Sequence, residues 1–263
     1  MCEGLFINGD YHLIENNDIS HVSDGITTFG THNVYRNNTM HDTNVTDCGS
    51  NSSNCHIDFI ESEPVTSGGL SRPSQYNVYE GNTLRNNLGA NGHAFLTQGD
   101  ACGGQCFNVI IRFNNSAHVG SYDLLDNLGG YFNVKSYNND ILDFRVPNWD
   151  TADGFAGAST GGAEFNNLFY WPGSATLTPY SVLSDSLMGF TAGSNLADCG
   201  GTCSFFSRTQ SGSFAADAPG NLVANPLFAN YSGDDFHLQS GSPAIGHGAS
   251  LTAVASGDAG AGT

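Results

Sequence analysis

The sequence repeats one unit five times: HLIENNDI (12–19), NVYRNNTM (33–40), NVYEGNTL (77–84), VIIRFNNSA (109–117) and NVKSYNNDI (133–141). Each unit has an aliphatic residue, then Asn in a tight bend, then another aliphatic residue. Neighbouring units begin roughly 20 to 45 residues apart. A unit this short cannot bury its own apolar face, so the copies must stack, and each closes the core of its neighbour.

A second short strand precedes each later copy. The four segments are DGITTF from Asp24, DFIES from Asp58, AFLTQ from Ala94 and DLLDN from Asp123. Asn at a bend tolerates the αL conformation, and its amide can hydrogen-bond the Asn of the next copy. The pattern predicts an all-β solenoid with an Asn ladder and irregular loop insertions such as 47–55 and 63–75. A Gly/Asn-rich β-sandwich is the alternative, but its turns would not repeat one register five times.

The composition excludes several classes of function. The 263 residues include 34 Gly and 28 Asn, and 24 of the Asn precede residue 168. Seven Lys plus Arg stand against 25 Asp plus Glu, which gives a formal net charge of -18. A surface this acidic repels phosphate groups, and we therefore expect neither nucleic acid nor an anionic membrane as a partner. An anionic polysaccharide could bind only if a cation bridged the two. No apolar run reaches the roughly 18 residues of a membrane span, and nothing indicates an oligomeric state.

Six of the seven cysteines form close pairs in Gly/Ser/Asn-rich stretches: Cys48 with Cys55, Cys102 with Cys106, and Cys199 with Cys203. Short-loop disulfides and metal knuckles both fit this spacing. Disulfides are favoured, because a zinc site needs a second unit nearer in sequence. They indicate an oxidising compartment, hence a secreted or cell-surface protein. Cys2 is left over with no signal peptide ahead of it, so we expect the natural protein to be longer.

The repeated unit NV-x-x-x-N-x-aliphatic resembles that of the right-handed parallel β-helix of pectate-lyase-like and polygalacturonase-like proteins, over about residues 4–170. The segment NPLFANYSGDDFHLQSGSPAIGHG (225–248) is similar to the closing motif of secreted bacterial β-helix proteins, where it forms the last rungs. The resemblance implies one right-handed parallel β-helix domain over residues 1–249. Residues 151–220 would be less regular rungs with long loops, or alternatively a separate small domain. Residues 250–263 would be a tail or the start of a continuation.

Aligning the second strands gives an inward aliphatic column of Ile26, Ile60, Leu96 and Leu125. Because side chains alternate along a strand, the flanking residues are expected to point outward. One flank contains Phe59 and Phe95, and the other contains Thr27, Glu61, Thr97 and Asp126. We therefore predict an exposed strip in which rings stack on sugars and polar groups bind hydroxyls. The predicted substrate-binding residues on it are Phe59, Phe95, Thr97 and Gln98.

Acid–base residues cluster at the entry to the same strands. Asp24, Asp58 and Asp123 stand there, with His56, His93 and Tyr122 nearby. The β-helix enzymes commonly carry their active cleft on this sheet, so the resemblance makes it the expected site.

One hypothesis is β-elimination or C5 epimerisation of a uronic acid. Both reactions remove the proton beside a carboxylate, which needs a base and a way to neutralise that carboxylate. The resemblance implies Ca²⁺ for neutralisation, with no organic cofactor. Oxygen ligands could come from Asp24, Asp58, Glu61 and Asp123. His56 or His93 would be the base, and Tyr122 would return the proton.

Inverting glycoside hydrolysis is the alternative on the same face. It needs two carboxyl groups roughly 6.5–9.5 Å apart. Glu61 and Asp126 are two rungs apart, about 9.5 Å between backbones. The Asp, His and Arg-x-Lys motifs of polygalacturonase-like hydrolases are absent, which weakens this hypothesis.

A second candidate column lies three residues before Asn38, Asn82, Asn115 and Asn138, at Tyr35, Tyr79, Arg112 and Lys135. Adjacent Lys and Arg resemble the acid–base pair of chondroitinase-B-like lyases, although in reversed order, and the metal-binding Asn/Glu motif of that family is not evident. Arg112 and Lys135 are the catalytic candidates of this column, with Tyr35 and Tyr79 as substrate-binding residues.

Taken together, the residues and the resemblance lead us to expect a polysaccharide partner and a lyase or epimerase activity. An inverting hydrolase of the same fold is one alternative. A non-catalytic glycan-binding or structural module is the other, because this architecture also serves as inert stalk and adhesin.

Overall fold

The computed structural model is all-β. It describes residues 3–44, 46–47, 57–62, 65–67, 70–87, 92–97, 106–119, 125–127, 131–142, 149–150, 163–171, 176–177, 180–182, 191–198, 200, 202–203, 206–208 and 220–252. These ranges contain strands and short 3-10 turns such as Tyr231–Gly233, and no α-helix. Within them, no helix is long and apolar enough to cross a membrane. The all-β prediction is confirmed.

Most strands belong to three long parallel sheets. Sheet 1 contains Glu3–Asn8, Asp24–Thr31, Ile57–Ser62, Ser74–Gln75, Gly92–Thr97, Cys106–Phe107, Leu125–Asn127, Tyr131–Phe132, Trp149–Asp150, Tyr180–Val182 and Phe206–Arg208. Sheet 2 contains Leu13–Glu15, Val34–Arg36, Val78–Glu80, Ile110–Arg112, Lys135–Tyr137, Ala163–Phe165 and Thr191–Gly193. Sheet 3 contains Asp18–Ser20, Thr39–Thr43, Thr83–Asn87, Asn115–Val119, Asp140–Leu142, Leu168–Tyr170, Leu196–Asp198 and Leu222–Val223.

The remaining strands form three separate two-stranded sheets. Val65–Ser67 pairs with Leu70–Arg72 and Phe228–Asn230 with Asp235–Leu238, both antiparallel. Thr176–Leu177 pairs with Thr202–Cys203 in parallel. The first of these hairpins is one of the predicted insertions, since it lies between Ile57–Ser62 and Ser74–Gln75 of sheet 1.

The chain visits sheets 1, 2 and 3 in turn, and we call each such circuit a passage. Each strand pairs in parallel with its equivalent in the next passage, as Val34 does with Val78 and Val78 with Ile110. This repeated return is consistent with a β-solenoid. The described strands between residues 163 and 198 continue sheets 2 and 3 in the same register.

An Asn ladder runs along the corner between sheets 2 and 3. Its members are Asn17, Asn38, Asn82, Asn114, Asn139, Asn167, Asn195 and Asn221. The backbone N–H of each member donates to the side-chain Oδ1 of the next, at 2.8–3.1 Å. The predicted ladder is therefore present, and it fixes the register of every passage it crosses.

The bend and the ladder use neighbouring residues rather than one Asn. The αL positions are Asn16, Asn37, Gly81, Phe113, Asn138, Asn166, Ser194 and Gly220, each just before a ladder residue. The sequence prediction gave both roles to a single Asn and chose Asn115 and Asn138 as reference positions. The ladder residues are Asn114 and Asn139, so that choice was wrong in two passages.

The core lies where the inner faces of the three sheets meet. Sheet 1 contributes Ile26 and Ile60, sheet 2 contributes Tyr35 and Tyr79, and sheet 3 contributes Met40, all at most 1% exposed. The Tyr35 and Tyr79 rings stack with centroids 4.9 Å apart.

The C-terminal motif does not form parallel rungs. Phe228–Asn230 and Asp235–Leu238 make an antiparallel hairpin, which we call the C-terminal hairpin. Phe228 packs with Leu142 and Leu168 of sheet 3 in a second apolar cluster. The expectation that residues 225–248 form the last rungs is wrong, because this segment covers a sheet instead of extending one.

Replacing a ladder Asn should destabilise the fold strongly. Asn82 Oδ1 accepts from the Asn38 backbone N–H, and Asn82 Nδ2 donates to the Tyr35 carbonyl at 3.0 Å. Asn82→Ala leaves these buried groups unpaired, so we expect a loss of about 3–5 kcal/mol in the free energy of unfolding. Urea denaturation measures it.

Asn37→Gly is the matched control, because Gly81 occupies the equivalent αL position in the next passage. We expect a change within about 0.5 kcal/mol, since glycine adopts positive φ freely. An Asn82→Ala cost no larger than that of the control would contradict a stabilising ladder.

Candidate functional site

The strand Ile57–Ser62 of sheet 1 departs from regular side-chain alternation where the sequence places its candidate site. Phe59 and Ile60 are consecutive, yet both lie in the core at 0% and 1% exposure. Side chains of a regular strand alternate between faces, so two consecutive core residues require a bend. Asp58 and Glu61, which flank this pair, each have a carboxylate oxygen within 4.8 Å of the other.

Gly25 permits the close approach of strands at this bend. A Cβ at Gly25 would lie 2.5 Å from the Phe59 carbonyl oxygen and 2.8 Å from the Met40 sulfur. Only glycine fits this position without displacing one of them.

The predicted strip of exposed aromatic rings is wrong. Phe59 is fully buried and Phe95 is 2% exposed, and both belong to the core. The backbone pairs Ile60 with Phe95 rather than with Leu96, and pairs Phe95 with Leu125. The predicted column is off by one residue at Leu96, because the prediction aligned Ala94 with Asp58, whereas His93 pairs with Asp58. Neither ring offers a face to a sugar.

Three carboxylates meet beside the bend. Asp24, Asp58 and Glu61 each offer an oxygen, and these oxygens lie within 4.8 Å of one another. The Asp58 backbone N–H donates to Asp24 Oδ1 at 3.4 Å, and Ser23 Oγ donates to Asp24 Oδ2 at 3.2 Å. Asp24 and Asp58 are buried, and Glu61 is half-buried. We call these three residues the carboxylate cluster.

His93 is bonded to the cluster through Asp58. Its backbone N–H and its Nδ1 lie 3.0 Å and 2.6 Å from Asp58 Oδ1. The side chains of His93 and Asp58 are 9% and 1% exposed. An aspartate in this position orients the imidazole ring.

The cluster contains a carboxylate oxygen that the described residues leave unsatisfied. Asp58 Oδ2 is buried and has no hydrogen-bond partner among them. Thr27 Oγ1, on the strand that pairs Thr27 with Glu61, is in the same condition. A buried oxygen without a donor is costly, so this position favours a positively charged ligand.

The charge of the cluster perturbs the titration of Asp24. Burial and the neighbouring negative charge of Asp58 raise the pKa of Asp24 to about 6. A bound cation would reverse the second of these effects and favour the ionised carboxylate.

The geometry fits Ca²⁺. Two oxygens bound at about 2.4 Å lie at most about 4.8 Å apart, and Ca²⁺ takes 6–8 oxygen ligands at 2.3–2.6 Å. The cluster supplies three carboxylates at this spacing. It is the only group of three or more His, Cys, Asp or Glu residues with metal-ligand spacing in the described ranges.

The structure brings together four of the predicted site residues: Asp24, Asp58, Glu61 and His93. The predicted residues His56, Gln98, Tyr122 and Asp123 lie outside the described residues. Of Thr97 and Asp126 themselves, only the backbone pairing is described. Glu61 pairs with Leu96 and Leu96 with Asp126, so Glu61 and Asp126 occupy one column two strands apart, as predicted.

The second predicted column does not exist. Tyr35 pairs with Tyr79 as predicted, but Tyr79 pairs with Ile111, and both tyrosines are fully buried. Arg112 pairs with Glu80, and its Nη2 lies 2.6 Å from Glu80 Oε2.

Lys135 pairs with Ile110, so it is not in line with Arg112. The cause is the choice of Asn115 and Asn138 in place of the ladder residues. The acid–base pair of Arg112 and Lys135 and the substrate-binding role of Tyr35 and Tyr79 lose their structural basis.

Sequence reasoning did not identify Ser23 as part of this site, and it placed Thr27 in an exposed strip, whereas Thr27 is 3% exposed. Both residues belong to the SDGIT stretch around Asp24. The presence of a hydroxyl residue on each side of an Asp at the start of a strand could have indicated that they join the site. Sequence reasoning also did not predict that His93 and Asp58 pair, although both stand at the entry of neighbouring strands.

Comparison with known proteins adds no relative: no protein-family model matches the chain, and no curated protein or solved structure matches it significantly.

Calcium should stabilise the protein in a pH-dependent way. At about 100 times the Kd, a ligand stabilises by about 2.7 kcal/mol, which corresponds to a Tm rise of roughly 5–10 °C for a chain of this size. The rise should be present at pH 7.5 and small at pH 5, where Asp24, with its pKa near 6, is largely protonated. Thermal unfolding with and without Ca²⁺ measures this.

Without calcium, the raised pKa of Asp24 gives the opposite trend. The folded state binds a proton more tightly than the unfolded state, so the contribution of Asp24 to stability falls as pH rises from about 4 to about 6. Asp24→Asn should remove both this slope and the calcium response. Glu15→Gln on sheet 2 should retain both, and a calcium response that survives in Asp24→Asn would count against the site.

Proposed function

We propose that the chain is a right-handed parallel β-helix of the pectate-lyase-like kind that acts on a polysaccharide. Its activity would be that of a Ca²⁺-dependent lyase or epimerase on a uronic-acid-containing glycan, in a secreted or cell-surface protein. One observation carries the proposal: Asp58 Oδ2 in the carboxylate cluster is buried without a hydrogen-bond partner among the described residues, and His93 is bonded to the same carboxylate.

The cluster explains how so acidic a protein could bind a polyanion. A formal net charge of -18 repels a uronate polymer. A calcium ion held by Asp24, Asp58 and Glu61 would offset that repulsion and neutralise the uronate carboxylate. The proton at C5, beside that carboxylate, would then be easier to remove.

His93 is the base in this proposal. In the tautomer whose Nδ1–H donates to Asp58 Oδ1, the lone pair lies on Nε2. His93 Nε2 would take the C5 proton, and Asp58 would stabilise the resulting imidazolium. In a lyase, the C5 electron pair forms the C4–C5 double bond while the C4–oxygen bond breaks, and the departing oxygen takes up a proton from water. In an epimerase, a proton returns to C5 from the opposite face.

An inverting glycoside hydrolase is the second candidate, favoured by one observation. Glu61 and Asp126 lie in one column, separated by the strand that contains Leu96. Two strand spacings are about 9.5 Å, near the upper limit of the roughly 6.5–9.5 Å carboxyl separation in inverting enzymes. In that mechanism one of the two would protonate the leaving group and the other would activate water.

The test is turnover on a panel of uronic-acid polysaccharides and neutral glycans, with Ca²⁺ or with a chelator. Ultraviolet absorbance of unsaturated uronate and reducing ends are followed in parallel. We expect both signals to rise, and only with Ca²⁺. His93→Ala should lower kcat by about 10²–10⁴-fold, the usual contribution of a general base, and Glu61→Gln should mainly raise the Ca²⁺ concentration required.

Lys135→Gln is the control, because Lys135 lies on sheet 2 away from the cluster, and it should retain activity. Reducing ends without unsaturated product would favour the hydrolase. If neither signal rises, NMR of the recovered polysaccharide would test for epimerisation at C5. No change in any of the three would contradict the enzyme proposal and favour a glycan-binding or structural module.

A further inference from the structure

The outer face of sheet 3 changes from polar to apolar along its length. One column begins with Asp18, Thr39, Thr83, Asn115 and Asp140, and continues with Leu168, Leu196 and Leu222. The C-terminal hairpin packs on the apolar half, where Phe228 is 8% exposed and contacts Tyr170 with ring centroids 5.2 Å apart. The hairpin therefore ends at the polar boundary.

A cleft of about 510 Å³ lies at this boundary. Its lining residues are Asn115, Asp140, Asp234, Asp235, Phe236 and His237, which come from sheet 3 and the C-terminal hairpin. The volume is in the range of small-molecule sites, which are clefts with a few convergent polar groups. None of these residues belongs to the carboxylate cluster on sheet 1.

The polar groups on the sheet side of the cleft are held in place. An Arg85 guanidinium nitrogen donates to Asn115 Oδ1, which orients the amide. The Asn115 Nδ2 then donates to Asp140 Oδ2 at 2.9 Å. Arg85 also lies over the Phe236 ring, 5.1 Å from its centroid, and so connects the sheet to the hairpin.

The hairpin side contains two histidine–aspartate pairs. His118 Nε2 lies 2.9 Å from Asp234 Oδ1, and His237 Nδ1 lies 2.6 Å from Asp235 Oδ1. Side chains fixed before a ligand arrives lose little entropy on binding it. The sheet side of the cleft is thus preorganised, whereas on the hairpin side the His237 side chain is 92% exposed and stays mobile enough to adapt to a ligand.

The chemistry of the lining selects the ligand. Three carboxylates against Arg85 and two histidines disfavour a polyanion. The carboxylates and histidines of the cleft do not form a group with metal-ligand spacing, since the carboxylate cluster is the only such group in the described ranges. Carboxylate acceptors beside amide and imidazole donors match hydroxyl groups, which both donate and accept. Phe236 adds apolar surface to the lining.

We propose that this cleft binds a neutral saccharide, as a site separate from the carboxylate cluster. Burial raises the pKa of Asp140 to about 6, although Asn115 and Arg85 act in the opposite direction. The inference does not depend on the proposed lyase activity, because the two sites share no residue.

Calorimetric titration tests the proposal. The probes are neutral gluco-, xylo- and manno-hexasaccharides, with an oligogalacturonate of equal length as the anionic counterpart. We expect at least one neutral probe to bind and the oligogalacturonate not to bind at this cleft. Asp140→Asn and Asp235→Asn should each weaken that binding at least about tenfold, the loss expected for a charged hydrogen bond.

Asp18→Asn is the matched control, because Asp18 stands in the same column of sheet 3 but outside the cleft. It should bind as the wild type does, and so should Asp58→Asn, which tests the carboxylate cluster separately. Retained binding in both cleft variants, an equal loss in Asp18→Asn, or no neutral probe binding at millimolar concentration would overturn the proposal. Unfolding curves of the variants verify that each is folded.

Discussion

The structure depends on one hydrogen bond, repeated along the corner between sheets 2 and 3: a backbone N–H donating to the side-chain oxygen of the next ladder Asn. A polar amide in a buried corner is costly unless both its donors and its acceptor are paired. The ladder meets this condition from Asn38 to Asn195, because each of these Oδ1 atoms accepts from the preceding ladder residue and each Nδ2 donates to an oxygen, as in Asn82 and Asn114. A slip by one residue would break every bond at once, so the register is fixed.

A fixed register also has a cost at the site. Parallel strands place equivalent residues about 4.8 Å apart, so a repeat with acidic residues at strand entries brings like charges together. Asp24 and Asp58 are such a pair, and the bend after Asp58 adds Glu61. Burial and the repulsion from Asp58 together raise the pKa of Asp24. A divalent cation would relieve both, which links the fold to the proposed chemistry.

Some of this could be read from the sequence, and some could not. The repeat, the ladder positions Asn38 and Asn82, and the gathering of Asp24, Asp58 and Glu61 follow from pattern and spacing. In double-Asn units the pattern does not show which Asn bends and which joins the ladder, because that depends on backbone torsion. The burial of Phe59 depends on a bend in sheet 1 that strict alternation does not reveal. The cleft on sheet 3 depends on where a distant hairpin packs.

The most direct test of the central claim is a crystal structure determined with Mn²⁺ in place of Ca²⁺, using the anomalous signal of the metal. The account predicts a peak between Asp24, Asp58 and Glu61, with Asp58 Oδ2 among its ligands at about 2.0–2.6 Å. Such a peak would show both the register of sheet 1 and the nature of the site. An empty cluster, with Asp58 Oδ2 satisfied by a protein donor, would contradict it.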